Sequence, residues 1–189
     1  MAKVIKLAKL AEPCQRNWDR TYTIPQDHLE HICKVATTMP TKQNRNSYEL
    51  YCITNKDMIQ KVFEVAYNPD DYDYTYLKNP QTNANALLIW TFNEIKEGDH
   101  DRNVNIGISA GAASLAAVER GYKTGFCKCF LVNELKNIIS NNPSHFPALI
   151  LGLGKPDERF DRTDIVENDK KIGTNCSNGP KNISVHYKD

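Results

Sequence analysis

Two arginines four residues apart, Arg16 and Arg20, frame the run Arg16-Asn17-Trp18-Asp19-Arg20-Thr21-Tyr22. Fixed guanidinium cations with an amide between them suit a phosphate and its attached polyol, because the planar fork donates paired hydrogen bonds to phosphate oxygens. A solvated charge run has the same composition, so the motif gains weight only from the segments that come after it in the chain. Pro40-Thr41-Lys42-Gln43-Asn44-Arg45-Asn46-Ser47-Tyr48 comes next, then Gly121-Tyr122-Lys123-Thr124-Gly125-Phe126, then the stretch ALILGLGKP over 148–156.

Other chemistries lack their residues. The chain has no G-x-x-x-x-G-K-[ST], no H-E-x-x-H and no G-x-S-x-G, and Gly107 and Gly111 do not make the G-x-G-x-x-G order. His28 and His31 lie one helical turn apart with Cys33 nearby, and Cys127 and Cys129 form a C-x-C. A C-x-C in a strand points both thiols to one face, but two ligands fall short of a closed metal site. These residues read as helix-surface histidines and core thiols, and no metal is expected.

The elements that must carry the motifs follow from apolar spacing. Pro25 suits a first helical turn, and Leu29, Ile32, Cys33 and Ala36 continue at helical spacing until Met39-Pro40. Residues 48–54 alternate as a strand, and Ile59, Val62, Phe63 and Ala66 mark a second helix. Residues 68–85 are polar and tyrosine-rich with Pro69 and Pro80, so they read as a surface loop or lid whose aromatics pack it onto the body. The apolar run at 86–92 suits a strand buried on both faces. The helix over 105–122 is full of Gly, Ala and Ser, which lets a backbone or a flat ligand approach and places it centrally or at a subunit interface. A short helix at 135–139 and a buried strand at 148–153 complete the set, and few strands among many helices favour α+β.

Composition sets the outer bounds. The 189 residues fit one folding unit, and 24 Lys and Arg against 23 Asp and Glu leave a net charge of +1, so no broad field points to nucleic acid or to a membrane surface. Lys3, Lys6 and Lys9 interrupt the N-terminal apolar residues before a signal-peptide core or a span could form. Six scattered cysteines without a C-x-x-C resemble reduced thiols, and a cytoplasmic protein is expected. Beyond residue 156 the chain is nearly without core residues, so it must be disordered or lie on something else.

Taken in order, the four segments resemble the nitroreductase family of FMN-dependent oxidoreductases over roughly 14–156. That resemblance implies an α+β nitroreductase-like fold, a central and mostly antiparallel sheet flanked by helices, in an intertwined homodimer with FMN at its interface. Residues 1–156 would form the FMN-binding domain, and 157–189 an extension that wraps the partner subunit. Arg16 and Asn17 would hold the FMN phosphate and ribityl chain, with Trp18 where the family has a small serine. Arg20 would lie at the pyrimidine edge of the flavin. Pro40, Thr41, Lys42 and Asn44 would touch the isoalloxazine and ribityl groups, in part from the other subunit. Thr124 and Gly125 would form a turn whose backbone N–H groups face flavin N5.

The chemistry so implied is hydride transfer from NADH or NADPH to a nitroaromatic, quinone or similar small acceptor, in a ping-pong sequence with few catalytic side chains. Several positions depart from the family pattern. Arg45-Asn46-Ser47 replaces a Ser-Gln-Pro, and the C-terminal phosphate cation has six candidates: Lys155, Arg159, Arg162, Lys170, Lys171 and Lys181. A binding or regulatory protein that keeps the fold and holds flavin weakly or not at all is the second reading.

Overall fold

Residues 86–93 form the strand on which the rest of the molecule is built, β2 (Ala86–Asn93). Ala86, Leu88 and Trp90 belong to one apolar cluster and Leu87 and Ile89 to another, so successive side chains enter cores on opposite faces of the sheet. This is the two-sided burial that the uninterrupted apolar run requires. The computed structural model describes residues 3–44, 48–67, 78–93, 100–140, 144–162, 165–167, 170–172 and 184–186.

The other strands of this sheet are β1 (Glu49–Ile53), β3 (Lys123–Cys127) and β4 (His145–Gly154), in the order β1-β2-β4-β3 with every pairing antiparallel. One face is covered by α2 (Gln26–Thr38) and α4 (His100–Glu119), whose Leu29, Ile32, Ala36, Ile106, Ala110, Ala113 and Ala117 pack on Leu151 and Leu153. The other face is covered by α3 (Lys56–Val65) and α5 (Val132–Ile139) through Ile59, Val62, Leu135 and Ile139. Asn55 caps α3 by accepting from Met58 N–H at 2.9 Å. The expected α+β fold, an antiparallel sheet between helices, is the fold found.

Small residues in α4 let it come close to both α2 and the sheet. Ser109 is fully buried, donates its hydroxyl to Ala36 C=O at 2.8 Å and accepts from the Trp90 indole at 2.9 Å. One side chain thus joins α4, α2 and β2 where a larger one would not fit.

Several sequence expectations shift. The helix over 105–122 begins earlier and ends sooner, at His100–Glu119. Thr124 and Gly125 are not in a turn: they lie inside β3, because a strand can resume only two residues after the helix-ending turn at Arg120 and Gly121. Cys129 lies just past the end of β3, so the C-x-C does not span a strand. The N-terminal α1 (Lys3–Ala11) has no counterpart in the apolar spacing; it buries none of its residues fully and packs on α4 and β3. Within the 68–85 loop, 68–77 lie outside the described residues, while Pro80–Thr82 form a single helical turn with Gln81 and Thr82 buried. The C-terminal stretch contains a small hairpin, β5 (Ile165–Glu167) and β6 (Lys170–Ile172).

Candidate functional site

The 15–19 segment has too few apolar residues to form an element of its own, and it takes its shape from hydrogen bonds to its neighbours. Gln15 N–H donates to Thr124 C=O at 2.8 Å, Asp157 N–H to Asn17 C=O at 3.1 Å, and Asp19 N–H to Lys155 C=O at 3.0 Å. The segment therefore begins on the free edge of β3 and continues along the chain that leaves β4. Gly125 makes the close approach possible: a Cβ there would sit 2.5 Å from Gln15 C=O. Because Thr124 C=O faces Gln15, the alternation of an antiparallel ladder turns the Gly125 N–H and C=O toward β4.

Three stretches distant in sequence are tied together here, 14–17, 161–162 and Thr124. Arg16 is half-buried, and its N–H donates to the Gln15 side chain at 3.2 Å. Asn17 is buried, and its side-chain amide donates to Asp161 C=O. Arg162 donates to Cys14 C=O at 3.3 Å, which ties it to the start of this segment. Thr124 is buried, with its hydroxyl 2.8 Å from that of Ser114 in α4.

The remaining C-terminal cations whose side chains are described have other work. Lys155 donates to Gly121 C=O at 2.7 Å and lies over the Tyr22 and Tyr122 rings. Arg159 chelates Asp157 and holds that carboxyl below its ordinary range. The side chains of Lys170, Lys171 and Lys181 lie outside the described residues.

Trp18 points inward. Its indole N–H donates to Pro80 C=O at 2.9 Å and its ring joins the α3–α5 side of the core. Arg20 is exposed, and its side chain makes no hydrogen bond or ion pair among the described residues. The neighbouring Asp19 carboxylate is instead occupied by the Thr21 hydroxyl and N–H, which lower its pKa.

The second group of expected site residues is elsewhere. Pro40, Lys42 and Asn44 are exposed and Thr41 is half-buried, in the turn that follows α2. Lys42 N–H donates to the Asn105 side chain at 3.1 Å, and its ammonium pairs with Asp101 at 2.6 Å. Gln43 and Asn44 have φ of 56° and 53°, a left-handed pair without glycine, and such strain collects at ligand-binding turns. Arg45, Asn46 and Ser47 lie outside the described residues. Lys42 is tied to α4 at Asn105 and Thr124 at Ser114, so the two groups are set roughly 14 Å apart along a helix that rises about 1.5 Å per residue. One chain does not bring them together.

The chemistry on offer at the first group is anion binding without an acid–base centre. Arg16 and Arg162 bring two guanidinium groups to this part of the chain, and a guanidinium binds anions through charge-assisted hydrogen bonds. Nearby, Tyr122 is buried against His28, 2.6 Å from its Nδ1, and burial followed by the Tyr22 hydroxyl raises its phenol pKa. Sequence reasoning names Arg16 and Asn17 and leaves Arg162 as one of six cations, because no local motif surrounds it.

Comparison with known proteins adds the family. A model of the nitroreductase family matches residues 14–155. No curated protein matches the chain. Among solved structures, the chain is similar to a nitroreductase family protein from Clostridium novyi NT at TM-score 0.70 and 15% identity, covering 86% of this chain and 91% of that one. It is similar to a nitroreductase with bound FMN from Desulfitobacterium hafniense DCB-2 at TM-score 0.68 and 16% identity, covering 83% and 90%. It is also similar to CLA-ER, an enone reductase of gut-bacterial fatty acid saturation, at TM-score 0.68 and 13% identity, covering 89% and 95%.

Proposed function

The chain belongs to the nitroreductase family, and from that membership we propose that it is an FMN-dependent oxidoreductase that passes hydride from NADH or NADPH to a small acceptor such as a nitroaromatic or a quinone. The observation that supports this reading is the seating of the 15–19 segment along β3 and the 155–157 stretch, with Arg162 tied to Cys14 C=O two residues before Arg16. Those donors fit a phosphate monoester: two cations with forked N–H groups match its dianionic oxygens.

When bound, FMN supplies the hydride chemistry. The chain's part is binding and electrostatics. Arg16 and Arg162 hold the phosphate, with Asn17 buttressing the 157–161 turn beside it. Trp18 fixes the segment from below and takes the place of a hydroxyl contact with packing. Arg20 sets a permanent cation at the pyrimidine edge, where charge accumulates on reduction. Thr124 and Gly125 would form the floor of the flavin site.

Pro40, Thr41, Lys42 and Asn44 complete the site of a second copy of the chain, which accounts for their distance from Arg16. Reductant and acceptor use the same open side in turn, which gives ping-pong kinetics.

A second reading draws on a specific observation. The Asn17 amide and the Trp18 indole N–H, at two positions of the phosphate motif, are already used by Asp161 and Pro80 carbonyls. A protein that keeps the fold while holding flavin weakly, as a binding or regulatory partner, has the same features.

The visible spectrum of the purified full chain separates the two. Bound flavin absorbance that bleaches anaerobically with NADH or NADPH and returns with menadione or a nitroaromatic is the expected result. A colourless protein that ignores added FMN overturns the enzyme reading. Arg16→Ala should weaken FMN binding by about 2 kcal/mol, through loss of a charge-assisted hydrogen bond to phosphate, as read by fluorescence quenching titration.

A further inference from the structure

Tyr51, His145 and Glu49 meet across the sheet although His145 is far from the other two in the chain. Glu49 and Tyr51 lie two residues apart in β1, so the period of the strand turns both to one face. His145 opens β4, and β2 runs between the two strands. Over that strand the Tyr51 hydroxyl lies 2.7 Å from His145 Nδ1, and His145 Nε2 lies 3.3 Å from Glu49 Oε1. A longer contact of 3.4 Å runs from the Tyr51 hydroxyl to Glu49 Oε2. Tyr51 is half-buried, with its ring packed on the α3–α5 side of the core. The His145 side chain is 9% exposed and that of Glu49 49%, so the imidazole is enclosed while the carboxylate, on the edge strand, meets solvent.

These distances assign the protons. A carboxylate only accepts, so a neutral His145 turns its Nε2–H to Glu49 and leaves Nδ1 to accept from the Tyr51 phenol. The 3.4 Å contact to Glu49 is the weaker competitor for that phenolic proton. A hydroxyl held against a base, with the base oriented by a third group, is the arrangement that activates an oxygen nucleophile. We infer that Tyr51 is a nucleophilic tyrosine that accepts acyl groups from activated esters, with His145 as its general base and Glu49 as the residue that positions the imidazole. The Tyr51 oxygen attacks the ester carbonyl carbon while His145 Nδ1 takes the phenolic proton. The bond from that carbon to the leaving oxygen breaks, and the imidazolium gives the proton to the departing group. The products are an ester on Tyr51 and one free hydroxy compound, with no change of oxidation state. The imidazolium formed in passing lies between the phenolic oxygen and the Glu49 carboxylate, where its charge is stabilised from both sides.

Other tyrosines differ in ways that matter. Tyr122 also meets an imidazole, that of His28, but it is 2% exposed and burial raises its phenol pKa, so esters do not reach it and it holds its proton. The Tyr48 hydroxyl is spent on Ala36 C=O. Tyr67 is 38% exposed and its hydroxyl has no base beside it among the described residues, which makes it the natural comparator. His145 lies seven residues along β4 from Gly152, the partner of Gly125, or roughly 20 Å at about 3.4 Å per residue. The acyl-accepting site therefore shares no residue with the proposed flavin site and stands or falls without it.

The test treats the full chain with p-nitrophenyl acetate after its thiols are capped with iodoacetamide, and follows acetylation of each tyrosine by peptide mass spectrometry. Neutral hydroxylamine removes acetyl from tyrosine and leaves lysine amides, which separates the two. Tyr51 lies in tryptic peptide 46–56 and Tyr67 in 62–78, and fragment ions resolve the tyrosines within each. Accessibility alone favours Tyr67, so a Tyr51 rate on the order of 100-fold above that of Tyr67 is the expected mark of a positioned base. A ratio below about ten, or acetyl confined to lysines, would overturn the inference. His145→Asn should bring Tyr51 to the level of Tyr67, and an undiminished rate in a variant folded by circular dichroism would also overturn it. Glu49→Gln should slow the labelling and Glu49→Asp recover part of it, whereas equal rates in all three would remove Glu49 from its positioning role. The ratio in the native chain is decisive without any variant.

Discussion

Arg20, exposed, and Asp157, largely covered by its surroundings, show how differently two charges near the segment behave. Asp19, the nearest carboxylate in sequence, is satisfied by Thr21, and Arg20 is exposed. If Arg20 lay at the pyrimidine edge of bound FMN, as proposed, it would stabilise the reduced form more than the oxidised one. Arg20→Gln is therefore expected to lower the FMN reduction potential by about 20 mV for each kcal/mol of differential stabilisation lost, which a redox titration resolves. Equal weakening of oxidised and reduced binding would remove Arg20 from that edge.

Asp157 is held below its ordinary pKa by the Arg159 guanidinium, so the ionised form is the one the fold favours. Its contribution to stability is complete above the unfolded carboxylate value of about 4 and is lost as the pH falls through the lower folded value. An NMR titration of the Asp157 carboxyl should show the depressed midpoint, and Arg159→Ala should return it upward.

At the level of elements, β3 and the segment laid along it act as a unit. Gly125 allows that segment to lie close, and Thr124 anchors the strand to α4 through Ser114. Gly125→Ala would drive a methyl group into Gln15 C=O, a backbone atom that can yield only by moving Arg16 with it. The expected cost is about 1–3 kcal/mol of stability, read by urea unfolding, together with weaker FMN binding. Unchanged stability with unchanged flavin affinity would show that the segment can shift freely.

At the scale of the whole molecule, α4 has two apolar faces, and the described residues of one chain cover only one of them. Ile106, Ala110, Ala113 and Ala117 face the core, while Val104, Gly107, Ile108 and Gly111 lie open at helical spacing. A Cβ added at Gly107 or Gly111 would meet nothing within 4 Å. A second copy pressed against this stripe would bury it and bring its own 40–44 turn toward Arg16, so a homodimer is expected in sedimentation velocity. Gly111→Arg should shift the population toward monomer and reduce flavin retention with it, whereas a dimer unaffected by that change would place the interface elsewhere.

The sequence by itself determined the elements that carry strong apolar periodicity: α2 from Leu29, Ile32 and Ala36, and β2 from its uninterrupted run. It also determined the family, because order and spacing along the chain survive where single motifs are weak. Lengths of periodic segments and the punctuation of Pro40 and Pro25 are local properties, and local properties are legible without coordinates.

Only the tertiary structure decided the rest, since it depends on residues distant in the chain. α1 is hidden in the sequence because it buries no residue fully and its Lys-interrupted face gives a weak period. Arg162 reaches Cys14 across the chain, and Trp18 is turned into the core by a hydrogen bond to Pro80. Thr124 and Gly125 became strand because β4 offered them an antiparallel neighbour. Each of these outcomes is a pairing across the fold, and a pairing has no signature in either partner's local sequence.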